Sequence, residues 1–287
     1  MQFKCKTLTP LFLGGPSRNE IEFRPPAIKS SLRYWWRALN AHLTIDKMVE
    51  SETNIFGFGG ENALASSFKI NNFSSNDKMD YYPKLPREDS YKSLAFSPEN
   101  HFQIELNLKV KSEFNAEHLI ALMQIASSLG NLGNRARRGM GAWQINEINC
   151  GKDTKIDFNL QTLYEKIKLF SSHYVISSDF KGIELKDTFV PETPDYPFIK
   201  KIYFDDCEKI EINSFLKKIL KVSHDFKRDF VEKYSVNIGS ERQRLASPVY
   251  ISIVEVNGCF YPIITRLNNP GETDNELVEK YIAKILE

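Results

Sequence analysis

An α+β fold in two units is what this 287-residue sequence predicts, and three features carry the prediction. Residues 101–110, HFQIELNLKV, alternate Phe102, Ile104, Leu106, Leu108 and Val110 against Gln103, Glu105, Asn107 and Lys109, which is the period of a half-buried strand. Ile28, Leu32, Trp35 and Leu39 recur at three- and four-residue spacing, which makes one face of a helix. Asn257-Gly258 between two alternating apolar runs is a hairpin signal, because both central residues of a type I′ turn take positive φ.

Taken in order, residues 2–8 alternate as a first strand that ends at Pro10. A connection rich in glycine and proline then delivers Arg24 to a helix running from about Ala27 to Leu43. Projected at 100° per residue, Lys29, Arg33 and Arg37 form a second stripe on this helix. Trp35 falls inside the apolar stripe, and His42 shares its side. Trp36 falls at the rim beside Arg33 and Asn40, where it reads either as packing or as a stacking platform for a nucleobase.

After a glycine-aromatic turn at 54–60, residues 66–73 read as a short strand. Residues 74–100 are polar and aperiodic, a long loop whose Tyr81, Tyr82, Lys84 and Arg87 suit a contact with nucleic acid or protein, or an unstructured insertion. Past the 101–110 strand, Asn115 caps a second helix with Leu119, Leu122, Met123 and Ala126 on its apolar face, and AWQINEINC follows as a strand. The order β, α, β, β, α, β is the ferredoxin-like arrangement of RNA recognition motifs. Its expected aromatic platform is missing, since the polar face of 101–110 carries no ring, so RNA binding is assigned to loops and the first helix.

Between that helix and the last strand lies GNLGNRARRGMG, residues 130–141. Gly130, Gly133, Gly139 and Gly141 can bring backbone N–H groups to an anion, and Asn134, Arg135, Arg137 and Arg138 supply donors, so the loop reads as a phosphate binder. It is not a Walker A loop, lacking G-K-[ST], and it has no G-x-G-x-x-G spacing.

From Gly151 onward the sequence predicts a helix over 159–170, a strand over FIKKIYF, and a long helix over 214–234 with Phe215, Ile219, Val222, Phe226 and Phe230 inward. A last helix follows, boxed by Thr273 and Glu276. Arg242 and Arg244 precede the hairpin as a basic turn, either a weaker counterpart of the 130–141 loop or a solvated turn.

With 38 basic and 37 acidic residues the chain has no global field for nucleic acid or membrane, so anion binding must be local. Cys5, Cys150, Cys207 and Cys259 match no zinc or redox spacing and read as reduced thiols. No apolar run is long enough to span a bilayer, and a soluble, cytoplasmic protein is expected. No histidine spacing fits a metal site, and no cofactor is expected.

TLTPLFLGG at 7–15, RPPAIKSSLRYWWRAL at 24–39 and GNLGNRARRGMGAW at 130–143 together resemble the repeat-associated mysterious proteins, the RAMP superfamily, and within it the first-subunit family of type III-B CRISPR Cmr effector complexes. RLASPVYISIVEVNGCFYPII resembles the closing hairpin of that family's second ferredoxin-like domain. The resemblance implies two ferredoxin-like domains, 1–150 and 151–287. It also implies a non-catalytic subunit of an RNA-guided antiviral ribonucleoprotein, whose partners are guide RNA, target RNA and other Cmr subunits, with contacts near the guide 3′ end. The alternative is a metal-independent endoribonuclease that processes CRISPR transcripts, which would need a general base such as His42 beside the arginine-glycine loop.

Overall fold

The computed structural model describes residues 1–287 except 16–19, 62, 76–77, 84–90, 110–113, 193–195, 231–237, 239–245 and 269–273. Its elements are β1 (Gln2–Thr7), α1 (Pro25–Leu39), α2 (Ile45–Phe56), β2 (Phe68–Ser75), β3 (Met79–Pro83), β4 (Lys92–Phe96), β5 (His101–Leu108), α3 (Ala116–Leu129) and β6 (Trp143–Asn149). There follow β7 (Asp153–Lys155), α4 (Leu160–Lys168), β8 (Tyr174–Ile176), β9 (Gly182–Leu185), β10 (Ile199–Phe204), α5 (Ile212–Asp229), β11 (Val249–Val256), β12 (Cys259–Leu267) and a last helix, α6 (Asn275–Leu286). It is a mixed α/β fold of antiparallel sheets.

The first sheet has the order β2-β5-β1-β6-β7. β1 therefore lies between β5 and β6, with Phe3 opposite Ile104 on one side and Ile148 on the other. The second sheet has the order β11-β12-β10-β9-β8. Here the chain departs from the βαββαβ order expected of the second half. β10, α5 and the β11-β12 hairpin follow that order, but the strand on the free side of β10 is β9, which precedes it in sequence, and α6 is the last element. β8 and β9 are three and four residues long, too short to leave a readable period.

Helix α3 joins the two sheets. It packs on α1 and α4, on β6, and on β11 and β12. Contact on all sides explains why Ala121, Ile125 and Leu129 are buried along with the predicted face, as expected of a helix apolar all round. One hydrophobic cluster runs from Phe3, Trp35 and Leu122 to Ile183, Ile199 and Tyr250, across residue 150.

Several expectations are corrected. Residues 45–56 form α2, capped by Thr44 and closed by Gly57 at φ +80°, where the sequence reading saw only the turn after it. Residues 79–83 and 92–96 pair as a hairpin inside the presumed loop; Lys84 and Arg87 lie outside the described residues. Helix α1 stops at Leu39 because Asn40 leaves helical geometry and its Nδ2 donates to the Trp36 carbonyl. His42 therefore sits in the following turn and not on the helix stripe. Phe230 lies past the end of α5 and is 37% exposed. The last helix is capped by Asp274, whose carboxylate accepts from the Leu277 N–H; Thr273 is outside the described residues.

Trp36 is the largest correction. It is only 4% exposed, with its ring 6.2 Å from that of Phe56 in an edge contact. The projection placed it correctly at the rim of α1, and the unpredicted α2 covers that rim. Both tryptophans are core, so Trp35→Ala and Trp36→Ala should each cost about 3–5 kcal/mol in chemical denaturation; a Trp36→Ala protein as stable as the wild type would contradict this packing.

Candidate nucleic-acid interface

The arginine-glycine loop is built as a pin between the sheets. The Asn131 side chain is buried; its Nδ2 donates to the carbonyls of Ala136 (2.6 Å) and Ile251 (2.8 Å), and its Oδ1 accepts from Ser252 Oγ (2.7 Å). Thr9 Oγ1 donates to the Gly139 carbonyl and accepts from the Ala142 N–H, both at 2.8 Å. A buried polar network satisfied at this density fixes one geometry.

The backbone N–H groups expected to cradle an anion are largely committed to protein carbonyls. Those of Asn134, Gly139 and Gly141 donate to Phe12, Ile251 and Pro10. The glycines serve close approach. Gly133, Gly139 and Gly141 take φ of +76°, +80° and +73°, and Arg135 joins them at +61°. Gly130 has a negative φ and is required because a Cβ there would lie 2.2 Å from Trp35 Nε1.

Arg137 is structural. Its guanidinium lies 5.4 Å from the Tyr34 ring centroid and 5.5 Å from that of Tyr250, with one amine donating to Tyr34 Oη at 3.1 Å and the other to the Ser247 carbonyl. Burial raises the Tyr34 phenol and pushes Tyr250 up to about 12, so both phenols remain neutral beside the cation. Arg138, by contrast, forms no side-chain hydrogen bond or ion pair among the described residues, and Asn134 is exposed. Arg137→Ala should then cost about 2 kcal/mol of stability, within the range for breaking a part-buried charged network, while Arg138→Ala should leave the melting temperature unchanged; equal effects would contradict the assignment. Arg242 and Arg244 lie outside the described residues.

The second stripe of α1 opens on a cleft of about 530 Å³ between α1, α2 and the turn after α2. Lys29, Arg33 and Arg37 share it with Glu52, Phe56, Phe58 and Leu64. Arg37 grips both Glu52 oxygens with a guanidinium fork. Arg33 Nε lies 3.0 Å from Glu52 Oε1, and its Nη2 donates to the Gly57 carbonyl at 3.1 Å. Three cations against one carboxylate leave an excess of two positive charges. Lys29 supplies one of the two: it makes no ion pair or hydrogen bond among the described residues, and its ammonium lies 5.7 Å from the Phe68 ring centroid. Burial, and then the neighbouring Arg33 charge, lower its pKa, which marks a cation short of an anion. Arg24 sits at the mouth of α1, exposed, with Nη2 on the Gly14 carbonyl at 2.8 Å.

The structure thus brings Lys29, Arg33 and Arg37 together, removes Trp36 from their surface and turns Arg137 inward. Sequence reasoning missed Glu52, Phe58 and Leu64. The signal for Glu52 was present, since Met48, Glu52, Ile55 and Phe56 share one face of a Thr44-capped helix.

On the polar face of the first sheet, by contrast, Lys4 pairs with Glu147, and Lys6 pairs with Glu99 and Glu255, so these two charges are compensated internally.

Residues 4–144, which carry both the cleft and the pinned loop, match the family model of the RAMP superfamily. This segment belongs to the RAMP superfamily. The chain is 24% identical to CRISPR system Cmr subunit Cmr1-1 of Pyrococcus furiosus, over 84% of this chain and 79% of that protein. Its fold resembles the crystal structure of Pyrococcus furiosus Cmr1 in its apo form, with a TM-score of 0.59 at 18% identity, covering 99% of this chain and 95% of that one. It also resembles a chain of the type III-B Cmr-beta structure bound to cognate target RNA, with a TM-score of 0.58 at 14% identity and coverages of 99% and 98%. The resemblance to a Cmr1-like RAMP protein thus extends along nearly the whole chain, beyond the segment that the family model matches. No helix among the described residues is long and apolar enough to cross a membrane.

Proposed function

We propose that this chain is a non-catalytic RNA-binding subunit of a type III-B CRISPR effector, organised as two ferredoxin-like units at 1–150 and 151–287, the second with its edge strand supplied from before β10. Its partners are guide RNA, target RNA and other Cmr subunits, and its RNA contacts lie near the guide 3′ end. Lys29 and Arg33 meet phosphate in the cleft, with Arg37 held in place by Glu52, while Arg24, Asn134, Arg135 and Arg138 extend the contact surface. The observation that carries this reading is Lys29, a partly buried cation beside a second cation and without an ion pair among the described residues. RNA supplies such an anion at each nucleotide, and contacts of this kind position the strand without reading sequence.

The chemistry of the cleft supports binding over cleavage. Its walls hold cations, aromatic and aliphatic groups and one carboxylate, and both oxygens of that carboxylate are occupied by Arg37. A general base must reach the 2′-hydroxyl it deprotonates, and no histidine is among the residues lining the cleft. His42 faces His173, with ring centroids 5.8 Å apart. Incubating the purified chain with end-labelled single-stranded RNA in EDTA should give retarded, intact RNA. A discrete cleavage product that disappears in His42→Ala would overturn the reading in favour of an endoribonuclease.

A further inference from the structure

We infer that Phe58 is a base-stacking platform, so that the cleft takes an unpaired nucleotide of single-stranded RNA, with its base on the Phe58-Leu64 rim and its phosphate on Lys29 and Arg33. This inference rests on the reading of the cleft as an RNA site and specifies which form of RNA enters it.

Phe58 is 56% exposed and Leu64 44% exposed, although both are large apolar residues. They are directly opposed: the N–H of each donates to the carbonyl of the other at 2.9 Å. Opposed residues of an antiparallel pair project to the same side, so ring and aliphatic chain form one apolar step at the edge of the cleft, which both residues line. The step is held from below. Gly57, at φ +80°, passes so close to Leu64 that a Cβ would lie 2.6 Å from its carbonyl oxygen, and Arg33 donates to the Gly57 carbonyl. The Phe58 ring edge rests on Gly60, where a Cβ would lie 3.1 Å from Cε1. An exposed ring fixed by its backbone loses little entropy when a base covers it.

Charge selects the occupant. Other exposed rings exist, such as Tyr81 and Tyr91 of the β3-β4 region and Phe180 in the second half, but only the Phe58 step borders the cleft that holds Lys29 and Arg33. An apolar platform beside an uncompensated cation matches a nucleotide, which joins an aromatic face to a phosphate. The cleft volume of about 530 Å³ lies within the few hundred to about a thousand Å³ usual for sites that enclose a small molecule. A base paired within a duplex has both faces stacked and cannot occupy the step, so the site selects unpaired strands.

The test measures binding of an oligouridylate carrying 5-iodouridine to wild type, Phe58→Ala and Phe58→Leu, with a blunt duplex as comparison. Phe58 is largely exposed, so both variants should melt with the wild type; should Phe58→Ala fold poorly, Phe58→Leu keeps the apolar bulk and still lacks the ring. Each variant should lose roughly fivefold to a hundredfold in affinity for the single strand, with the salt dependence unchanged because stacking releases no counterion. Illumination should cross-link iodouridine to the peptide that contains Phe58. Unchanged affinity in both variants, a cross-link elsewhere, or a duplex bound as tightly as the single strand would each overturn the stacking assignment. If Lys29→Gln with Arg33→Gln still flattens the salt dependence in that case, the cleft remains an RNA site and only the platform is lost. If neither pair of changes matters, the cleft holds no RNA and both readings fail.

Discussion

Gly141→Ala is expected to prevent the chain from folding stably. At φ +73° an alanine is already strained, and its Cβ would lie 2.0 Å from the Leu132 carbonyl oxygen and 3.0 Å from Leu11 Cδ1. That carbonyl belongs to the same pinned loop, in which Leu132 N–H donates to Gly141 O and Gly141 N–H donates to Pro10 O. Relief by a shift of the loop would break bonds both to the segment that follows β1 and to β11. The expected loss is on the order of 4 kcal/mol or more, a large part of the 5–15 kcal/mol that holds an ordinary protein folded. Gly151 is the control: its φ is +97° but nothing lies within 4 Å of an added Cβ, so Gly151→Ala should cost only about 1 kcal/mol. Denaturant midpoints of the two variants check this, and equal losses would contradict the role of the loop as a pin.

The same loop shows how far the sequence could be read. Glycines interleaved with arginines announced a special backbone, and three of the four glycines do take positive φ. What the sequence could not show is where the backbone donors go. The carbonyls of Phe12, Pro10 and Ile251 that accept them come from places distant in sequence, and only the folded chain shows that Arg137 is clamped between Tyr34 and Tyr250. Strands β1, β5 and β6 and helices α1 and α3 were legible because each buries one clear stripe or cap. The β3-β4 hairpin was not, since neither strand alternates buried and exposed positions.

The basic stripe of α1 was legible for the same reason as the core stripe, because helical periodicity sorts Lys29, Arg33 and Arg37 from Ile28, Leu32 and Trp35. Its meaning depended on α2. That helix brings Glu52 to two of the cations, buries Trp36 and leads into the turn that offers Phe58. A helix with only a weak cap, its Thr44 oxygen 3.5 Å from the Lys47 N–H, and with polar or charged side chains at seven of its twelve positions leaves only a weak signal.

The second large effect concerns RNA. Lys29→Gln with Arg33→Gln removes both cations that have donors to spare, while Arg37 and Glu52 keep their pair and the fold. At about 0.7 of a log unit per contact on a single strand, losing two contacts should weaken binding roughly fifteenfold at 150 mM salt and roughly sixtyfold at 50 mM. Unrelated sequences should suffer alike.

The most direct test of the cleft as the RNA site is therefore the slope of the logarithm of the association constant against the logarithm of salt concentration, measured for wild type and for this double variant on one single-stranded RNA. The slope of the variant should be shallower by about 1.4, with cooperative unfolding retained. Parallel lines for the two proteins would contradict the account, because Lys29 and Arg33 would then neutralise no phosphate.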